Sequence, residues 1–314
     1  MQETYRERYE KLKKERKRRW RWSMAILGVV VAAVIVVIVA GALSGSEDPL
    51  IDEGEPLVTP VIQDTDPSVT QDAVPRISVS LAEIEDTRLL ELVNFRYPLL
   101  REPDLDTFAT AWPDVPARDT ELMLHEEALL AAGSWFSVAS KEEIADFYIV
   151  SGYRSRERQA EIYSAALNPS FVKPPGHSEH HTGLAMDVGI PGVTFGEMAG
   201  RPDVLWLAET AWEHGFILRY TEETYHITRI AFEPWHFRYV GRLHAFYMWE
   251  NDLVLEQYLD QIRDRGEMTI TIEGRTYELW YQTPQAGNIY VPEGLPFTVS
   301  ADNRGGYIVT VGKE

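Results

Sequence analysis

The 314-residue chain contains no cysteine. That excludes a disulfide framework, a lipid-modified cysteine and a thiolate nucleophile, and it leaves only histidine and carboxylate side chains to bind a metal. Positive charge is scarce as well, with 30 Lys and Arg against 49 Asp and Glu and a formal net charge of −19. What there is of it is concentrated at one end. Residues 1–23 hold ten Lys/Arg and four Asp/Glu, so residues 24–314 carry a net charge of −25. A surface that acidic argues against a nucleic-acid partner, which requires a basic face. Its plainest consequence is solubility in an exposed, salty setting. No internal repeat is evident.

Long apolar runs are missing too, with one exception. Residues 24–43 form an unbroken stretch, MAILGVVVAAVIVVIVAGAL, about the length of roughly 20 residues that crosses a bilayer. Lys11, Lys13, Lys14 and Arg16 to Arg21 precede it, with Trp20 and Trp22 where an interfacial aromatic belt sits. The pattern predicts a basic cytoplasmic segment (1–23), a single transmembrane anchor (24–43) and an extracellular remainder. The competing reading is a cleaved signal peptide, since Ala40, Gly41 and Ala42 have the small-x-small form of a cleavage site. The run exceeds the usual signal-peptide core, which favours the anchor. Residues 44–76 are acidic, rich in proline and without a hydrophobic period, and read as an extended linker.

The remaining sequence divides by texture. Within 77–265, helical spacing predicts a helix over 121–130, another capped by Ser155 and running through Gln159 and Ile162, and a third over 204–212 that Gly215 stops. A further helix carries Leu253, Leu255, Leu259 and Ile262. Strands are expected at 147–150, 216–220 and 227–232, the last continuing through 235–240. After Gly266, the runs MTITI, YELWY, NIYV, FTVS and YIVTV alternate apolar and polar residues and predict a small all-β domain over 266–314. Its Trp280, Tyr281 and Tyr290 suit either a core or a platform for sugars.

Three segments carry chemistry. In SEHHTGLAMD, His180 and Asp187 lie seven positions apart across a glycine. If GLAMDV is a strand, Leu184, Met186 and Val188 face the core, and Asp187 shares the opposite face with the small Gly183 and Ala185, which leaves room for a metal. In FEPWHFRY, Trp235, Phe237 and Tyr239 pack on one side while His236 and Arg238 project on the other. Glu233 lies three positions before His236, so both can serve one site only if the chain bends at Pro234. Two neutral imidazoles and one carboxylate leave the fourth position of a Zn²⁺ ion open, as catalytic sites do, and Glu233 suits the base. In SGYRS, with Gln159 beyond, Arg154 stands where a strand turns into a helix, a place suited to a substrate carboxylate or an oxyanion.

SGYRS with its following Gln, SEHxTGLAxD and EPWHxRYVG, in this order between about 89 and 241, resemble the peptidoglycan carboxypeptidases of the VanY type. That wider group of zinc peptidases includes D-Ala-D-Ala dipeptidases, phage endopeptidases and the hedgehog signalling domain. The resemblance implies an α+β fold, a small mostly antiparallel sheet flanked by helices. It implies Zn²⁺ on His180, Asp187 and His236, Glu233 as catalytic base and then acid, and Arg154, Gln159 and Ser178 holding the substrate. His181 stands where the family pattern has Gln, and an extended segment would turn it away from His180, to the surface or behind the ligands. The implied activity is removal of a C-terminal D-alanine from peptidoglycan stem peptides, D,D or L,D, by metal-activated water. The alternatives are an endopeptidase of the same fold and a non-catalytic, zinc-stabilised wall-binding or signalling module.

Overall fold

The computed structural model describes residues 74–111, 113–166 and 172–313, together with residues 7, 10, 11 and 13–18. The expected anchor at 24–43 and nearly all of the linker lie outside the described residues. Among the described residues no helix is long and apolar enough to cross a membrane.

Four antiparallel strands form the central sheet: β4 (Tyr148–Ser151), β5 (Ala185–Gly189), β6 (Phe216–Leu218) and β7 (His236–Tyr239), in the order β4-β5-β7-β6. Alternation along β5 sends Met186 and Val188, with Leu184 just ahead, into the main core. Helix α1 (Glu126–Lys141) covers that face with Ala128, Leu129, Ala132, Trp135, Phe136 and Ala139, a stripe at helical spacing. Trp135 is fully buried at the centre. Its ring lies 5.5 Å from Phe216 and 5.1 Å from Phe237, and its indole N–H donates to Thr210 Oγ1 at 2.9 Å. Thr210 ends α3 (Pro202–Thr210), which a 3-10 turn extends to Gly215 at φ 80°, the expected stop.

Two local expectations are corrected. The helix predicted over 121–130 begins only at Glu126, because Met123–His125 forms a short strand, β3, paired with β2 (Phe108–Thr110). The strand predicted over 227–232 is instead the end of a single helical turn, α4 (Tyr225–Thr228), followed by Arg229 at φ 57° and irregular chain. Ile230 is buried there and Ile227 and Phe232 are partly buried, all outside any strand, so β-propensity gives way to tertiary context. The helix expected to carry Leu253, Leu255, Leu259 and Ile262 is α6 (Leu255–Arg265), with Leu253 just ahead of it, and it is preceded by α5 (Arg242–Glu250), where no element was expected.

All five C-terminal strands are present: β8 (Glu267–Ile272), β9 (Arg275–Gln282), β10 (Asn288–Pro292), β11 (Phe297–Ala301) and β12 (Tyr307–Lys313). Four make a sheet in the order β11-β12-β9-β8, while β10 pairs with β1 (Arg76–Ser80). The module therefore takes a strand from the other side of the peptidase segment. Trp280, Val299, Val309 and Val311 of one sheet pack on Ile289 and Val291 of the other. Hydrogen bonds from Leu90 N to Ser300 Oγ (2.9 Å) and from Asn303 Nδ2 to the carbonyls of Leu92 and Pro98 (2.9 and 2.8 Å) tie the 90–98 segment to this module.

Candidate metal centre

Strand register builds the site. Asp187 on β5 stands directly opposite His236 on β7, and opposed residues of an antiparallel pair hold their Cβ atoms about 5 Å apart. His180 comes from the 3-10 turn Glu179–Thr182 immediately before β5. Gly183 ends that turn at φ 70°, and a Cβ there would meet the Phe108 ring at 2.1 Å, so both conformation and space demand glycine.

The three predicted ligands converge. One donor atom from each of His180, Asp187 and His236 lies within 4.8 Å of the other two. His180 Nε2 is 3.4 Å from Asp187 Oδ2, and His236 Nδ1 is 2.9 Å from Asp187 Oδ1. A tetrahedral ion with bonds of about 2.0–2.1 Å has donor-to-donor edges of about 3.3 Å, so the triad is compact enough to close on such an ion. His180 Nδ1 donates to the Gly152 carbonyl at 2.8 Å, which leaves Nε2 bare for a metal. Gly152 can approach this closely because a Cβ on it would lie 2.4 Å from the Met123 carbonyl oxygen.

Electrostatics prepare the same atoms. Burial, against the pull of Asp187, leaves His180 below the usual imidazole value and hence neutral. Burial would also depress His236, but hydrogen bonds to Asp187 and Glu179 push it up to about 9. Burial works against ionisation of Asp187, yet the two histidines hold its carboxyl well below the usual carboxylate range. A metal entering here would meet a neutral His180 and a carboxylate, and would displace a proton from His236.

The chain does bend where it must. Pro234 and Trp235 form a turn in which His236 N–H donates to the Glu233 carbonyl at 3.1 Å. Burial raises the Glu233 carboxyl above its ordinary value, with the charges of Asp187 and Glu179 adding to the rise and those of His236 and Lys173 opposing it. The Glu233 carboxyl thus lies within electrostatic reach of Asp187 and His236. Arg154 is half-buried and feels the charge of Asp187. Its guanidinium donates to Gln159 Oε1 at 2.8 Å and Ser151 Oγ at 2.9 Å, and Gln159 Nε2 in turn donates to the Lys173 carbonyl at 2.6 Å. Gln159 therefore orients Arg154. Ser178 is buried at the start of the 3-10 turn, and its side chain does not cap that turn.

Of the two places expected for His181, the surface and behind the ligands, the structure gives the inner one: the residue is fully buried. Because the segment coils as a 3-10 turn, its ring enters the loop packing, accepting from Gly176 N–H at 3.0 Å and donating through Nδ1 to the Arg154 carbonyl at 2.6 Å. It joins the loop before the motif to the arginine segment. The reading of the sequence also missed a buried charge network behind His236. Glu179 Oε2 lies 3.4 Å from His236 Nε2, and Glu179 Oε1 accepts from Arg219 Nε at 2.8 Å and faces Arg238 Nη1 at 3.4 Å. Arg219 continues to Glu256 at 2.7 Å, and Glu256 to Asn94 at 3.0 Å. The available signal was Arg238, alternating with a ligand histidine on a strand whose other residues are aromatic.

With this geometry in hand, the similarities to known proteins are specific. A model of the VanY family, described as D-alanyl-D-alanine carboxypeptidase, matches residues 121–242. A D-alanyl-D-alanine carboxypeptidase of Enterococcus faecium is 33% identical over 229 residues, covering 71% of this chain and 74% of that protein. The chain belongs to the VanY family. It is accordingly an enzyme of the metallopeptidase type. Among solved structures, the VanY-family fold is shared with the vancomycin-resistance D,D-dipeptidase VanXYg in complex with a D-Ala-D-Ala phosphinate analogue. That structure aligns with a TM-score of 0.66 at 29% identity, over 77% of this chain and all of that one. Residues 77–265 alone cannot supply so large a share, so the likeness extends beyond the peptidase segment. The LD-carboxypeptidase LdcB aligns with a TM-score of 0.50 at 37% identity, over 55% of this chain and 86% of that chain.

Proposed function

We propose that this VanY-family protein is a Zn²⁺-dependent carboxypeptidase that removes the C-terminal D-alanine from peptidoglycan stem peptides. The observation that carries the reading is the convergence of His180, Asp187 and His236, with donor spacings suited to a tetrahedral ion and with Glu233 beside them. A Zn²⁺ ion on these three donors would supply Lewis acidity to the scissile carbonyl and to a water molecule.

The chain's own residues do the rest. Glu233, raised by burial, is poised to take a proton from the attacking water at its carboxylate and return it to the departing D-alanine amine. Arg154, held by Gln159 and Ser151, offers a fixed guanidinium for the terminal carboxylate of the peptide. Ser178, buried beside the ligand turn, adds a hydroxyl to the substrate wall. Recognition of a terminal carboxylate is what favours an exopeptidase over an endopeptidase. The base is what favours catalysis over a wall-binding module, since a structural metal site needs none.

Whether the bond cut is D,D or L,D divides the relatives themselves, one a D,D-dipeptidase and another an LD-carboxypeptidase. We place the catalytic domain outside the cell, held to the membrane by residues 24–43, because the stem peptides lie there and the sequence supplies a span with basic residues before it. The test is to incubate the purified protein, with and without a chelator, with muropeptides ending in a D,D-pentapeptide or an L,D-tetrapeptide, and to weigh the products. Loss of one alanine from either, abolished by the chelator, is expected. Intact substrates with Zn²⁺-loaded protein would overturn the carboxypeptidase reading, and cleavage within the stem would replace it with an endopeptidase.

A further inference from the structure

The two histidines of the triad present opposite ring nitrogens. His180 turns Nε2 towards Asp187 and donates from Nδ1 to a backbone carbonyl, whereas His236 turns Nδ1 towards Asp187 and Nε2 away from it. A neutral imidazole can bind a metal only through its bare nitrogen, and the hydrogen bond made by the other nitrogen decides which one that is. For His236 the competent form carries its proton on Nε2. An acceptor on that side is therefore required.

That acceptor is Glu179, 3.4 Å from Nε2 and fully buried. We infer that Glu179 is a positioning residue for the metal centre: it holds His236 in the tautomer and orientation that offer Nδ1 to the metal. This rests on the metal-site reading above and adds a residue to it. Three features make the geometry one-sided. Both carboxylate oxygens are committed, Oε1 to Arg219 and Arg238 and Oε2 to His236, so the group cannot rotate away. Two guanidinium groups within reach keep it an acceptor. The Tyr220 ring stacks on the imidazole at 4.8 Å between centroids and fixes its plane.

A purely structural role is the competing account, because the same network ties the ligand turn to Glu256 on α6 and to Asn94. The two accounts separate in Glu179→Gln. Arg219 and Arg238 demand the amide oxygen, so the amide NH₂ is left facing His236 Nε2 and asks it to accept rather than donate. The protein then favours the proton on Nδ1, where the metal should bind.

The experiment measures Zn²⁺ affinity by chelator competition and follows the His236 Nε2–H signal in ¹⁵N spectra of the Zn²⁺-loaded protein, with no substrate present. Glu179→Gln should weaken Zn²⁺ binding roughly 10- to 100-fold and displace or abolish the Nε2–H signal. Glu179→Asp, a shorter acceptor, should recover most of the affinity, and it also serves if the Gln variant does not fold. Glu256→Gln disturbs Arg219 from its far side and should leave affinity and signal as in the wild type. Gln-variant affinity within about threefold of wild type with an unchanged Nε2–H signal would overturn the inference, whatever the melting temperature does. A wild-type protein that takes up no Zn²⁺ would sink the zinc reading instead, and the ring-nitrogen spectra of the metal-free wild-type and Gln-variant proteins, recorded well above pH 9 where the His236 ring is neutral, would still decide for or against Glu179.

Discussion

The central sheet and the main sheet of the C-terminal module are both four-stranded and antiparallel, yet the two regions bury opposite things. The module encloses Trp280, Ile289, Val291, Val299, Val309 and Val311, and its strand β8 alternates exposed and buried residues from end to end. The central sheet is almost wholly aliphatic and aromatic on the face that meets α1. Its other face holds Asp187, His236 and Arg238, with Glu179 and Arg219 behind them. Buried charge costs several kcal/mol per ion unless it is paired, so that face exists only as a network. One sheet contributes stability that any well-packed apolar set could supply. The other needs particular side chains at particular registers.

Histidines show the same division. His236, between two carboxylates, is pushed up to about 9, whereas burial without a charged partner pushes His244 on α5 down to about 4. Ring burial is nearly equal, with 4% and 7% of the residues exposed. Surroundings, not depth, set the sign.

The sharpest way to break the comparison is at Glu233. Glu233→Gln should lower kcat by about 10²–10⁴-fold with Zn²⁺ affinity and thermal stability unchanged, and steady-state rates beside a chelator titration would check it. Activity near the wild-type level would remove the base from the mechanism. Next in size is the module's own core. Trp280→Ala should cost about 3–5 kcal/mol of stability in denaturant unfolding, while kcat per folded molecule holds. A loss of turnover greater than the loss of folded protein would show that the module does chemistry after all.

Acid should act through His244. Its folded value near 4 lies below the unfolded value of about 6.5, so the unfolded chain takes up the proton first. The stabilising contribution is whole above about pH 6.5 and is lost as pH falls towards 4, by about 3 kcal/mol over that span. His244→Gln, which can still bond the Tyr258 hydroxyl now 2.7 Å from Nδ1, should flatten the stability profile in that window; an unchanged slope would point to other groups. The smallest effect is expected at Tyr290, half exposed on β10. Tyr290→Ala should shift stability by less than about 0.5 kcal/mol and leave sedimentation with insoluble peptidoglycan unaltered. A clear loss of that binding would restore the sugar platform that burial of Trp280 in the module's core makes less apt.

Much of this molecule was legible in one dimension. The five C-terminal strands follow from period-two alternation, and the core face of β5 from Leu184, Met186 and Val188. Gly215 and Ser155 mark a helix end and a helix start as expected, the latter with its side chain accepting from Arg158 N–H at 3.2 Å. His180, Asp187 and His236 were legible as a candidate set from their motifs, and they converge; the bend at Pro234, expected on the condition that Glu233 and His236 serve one site, is present as a turn at 234–235. The segment 227–232 was misread because Ile227, Ile230 and Phe232 are buried or partly buried from a helical turn and irregular chain, which their side chains alone do not distinguish from a strand. For His181 the choice between the surface and a place behind the ligands stayed open because a 3-10 turn cannot be told from an extended run over four residues.

Sequence by itself determined which residue types could carry the chemistry and which faces had to be buried, since both depend on local composition and period. Only the tertiary structure decided which nitrogen of each histidine meets Asp187, that Glu179 stands behind His236, and that β1 completes the C-terminal module. The physical reason is distance along the chain. Glu179 and Arg219 are 40 residues apart and β1 and β10 about 210, and no local propensity records a contact that forms only when the sheet closes.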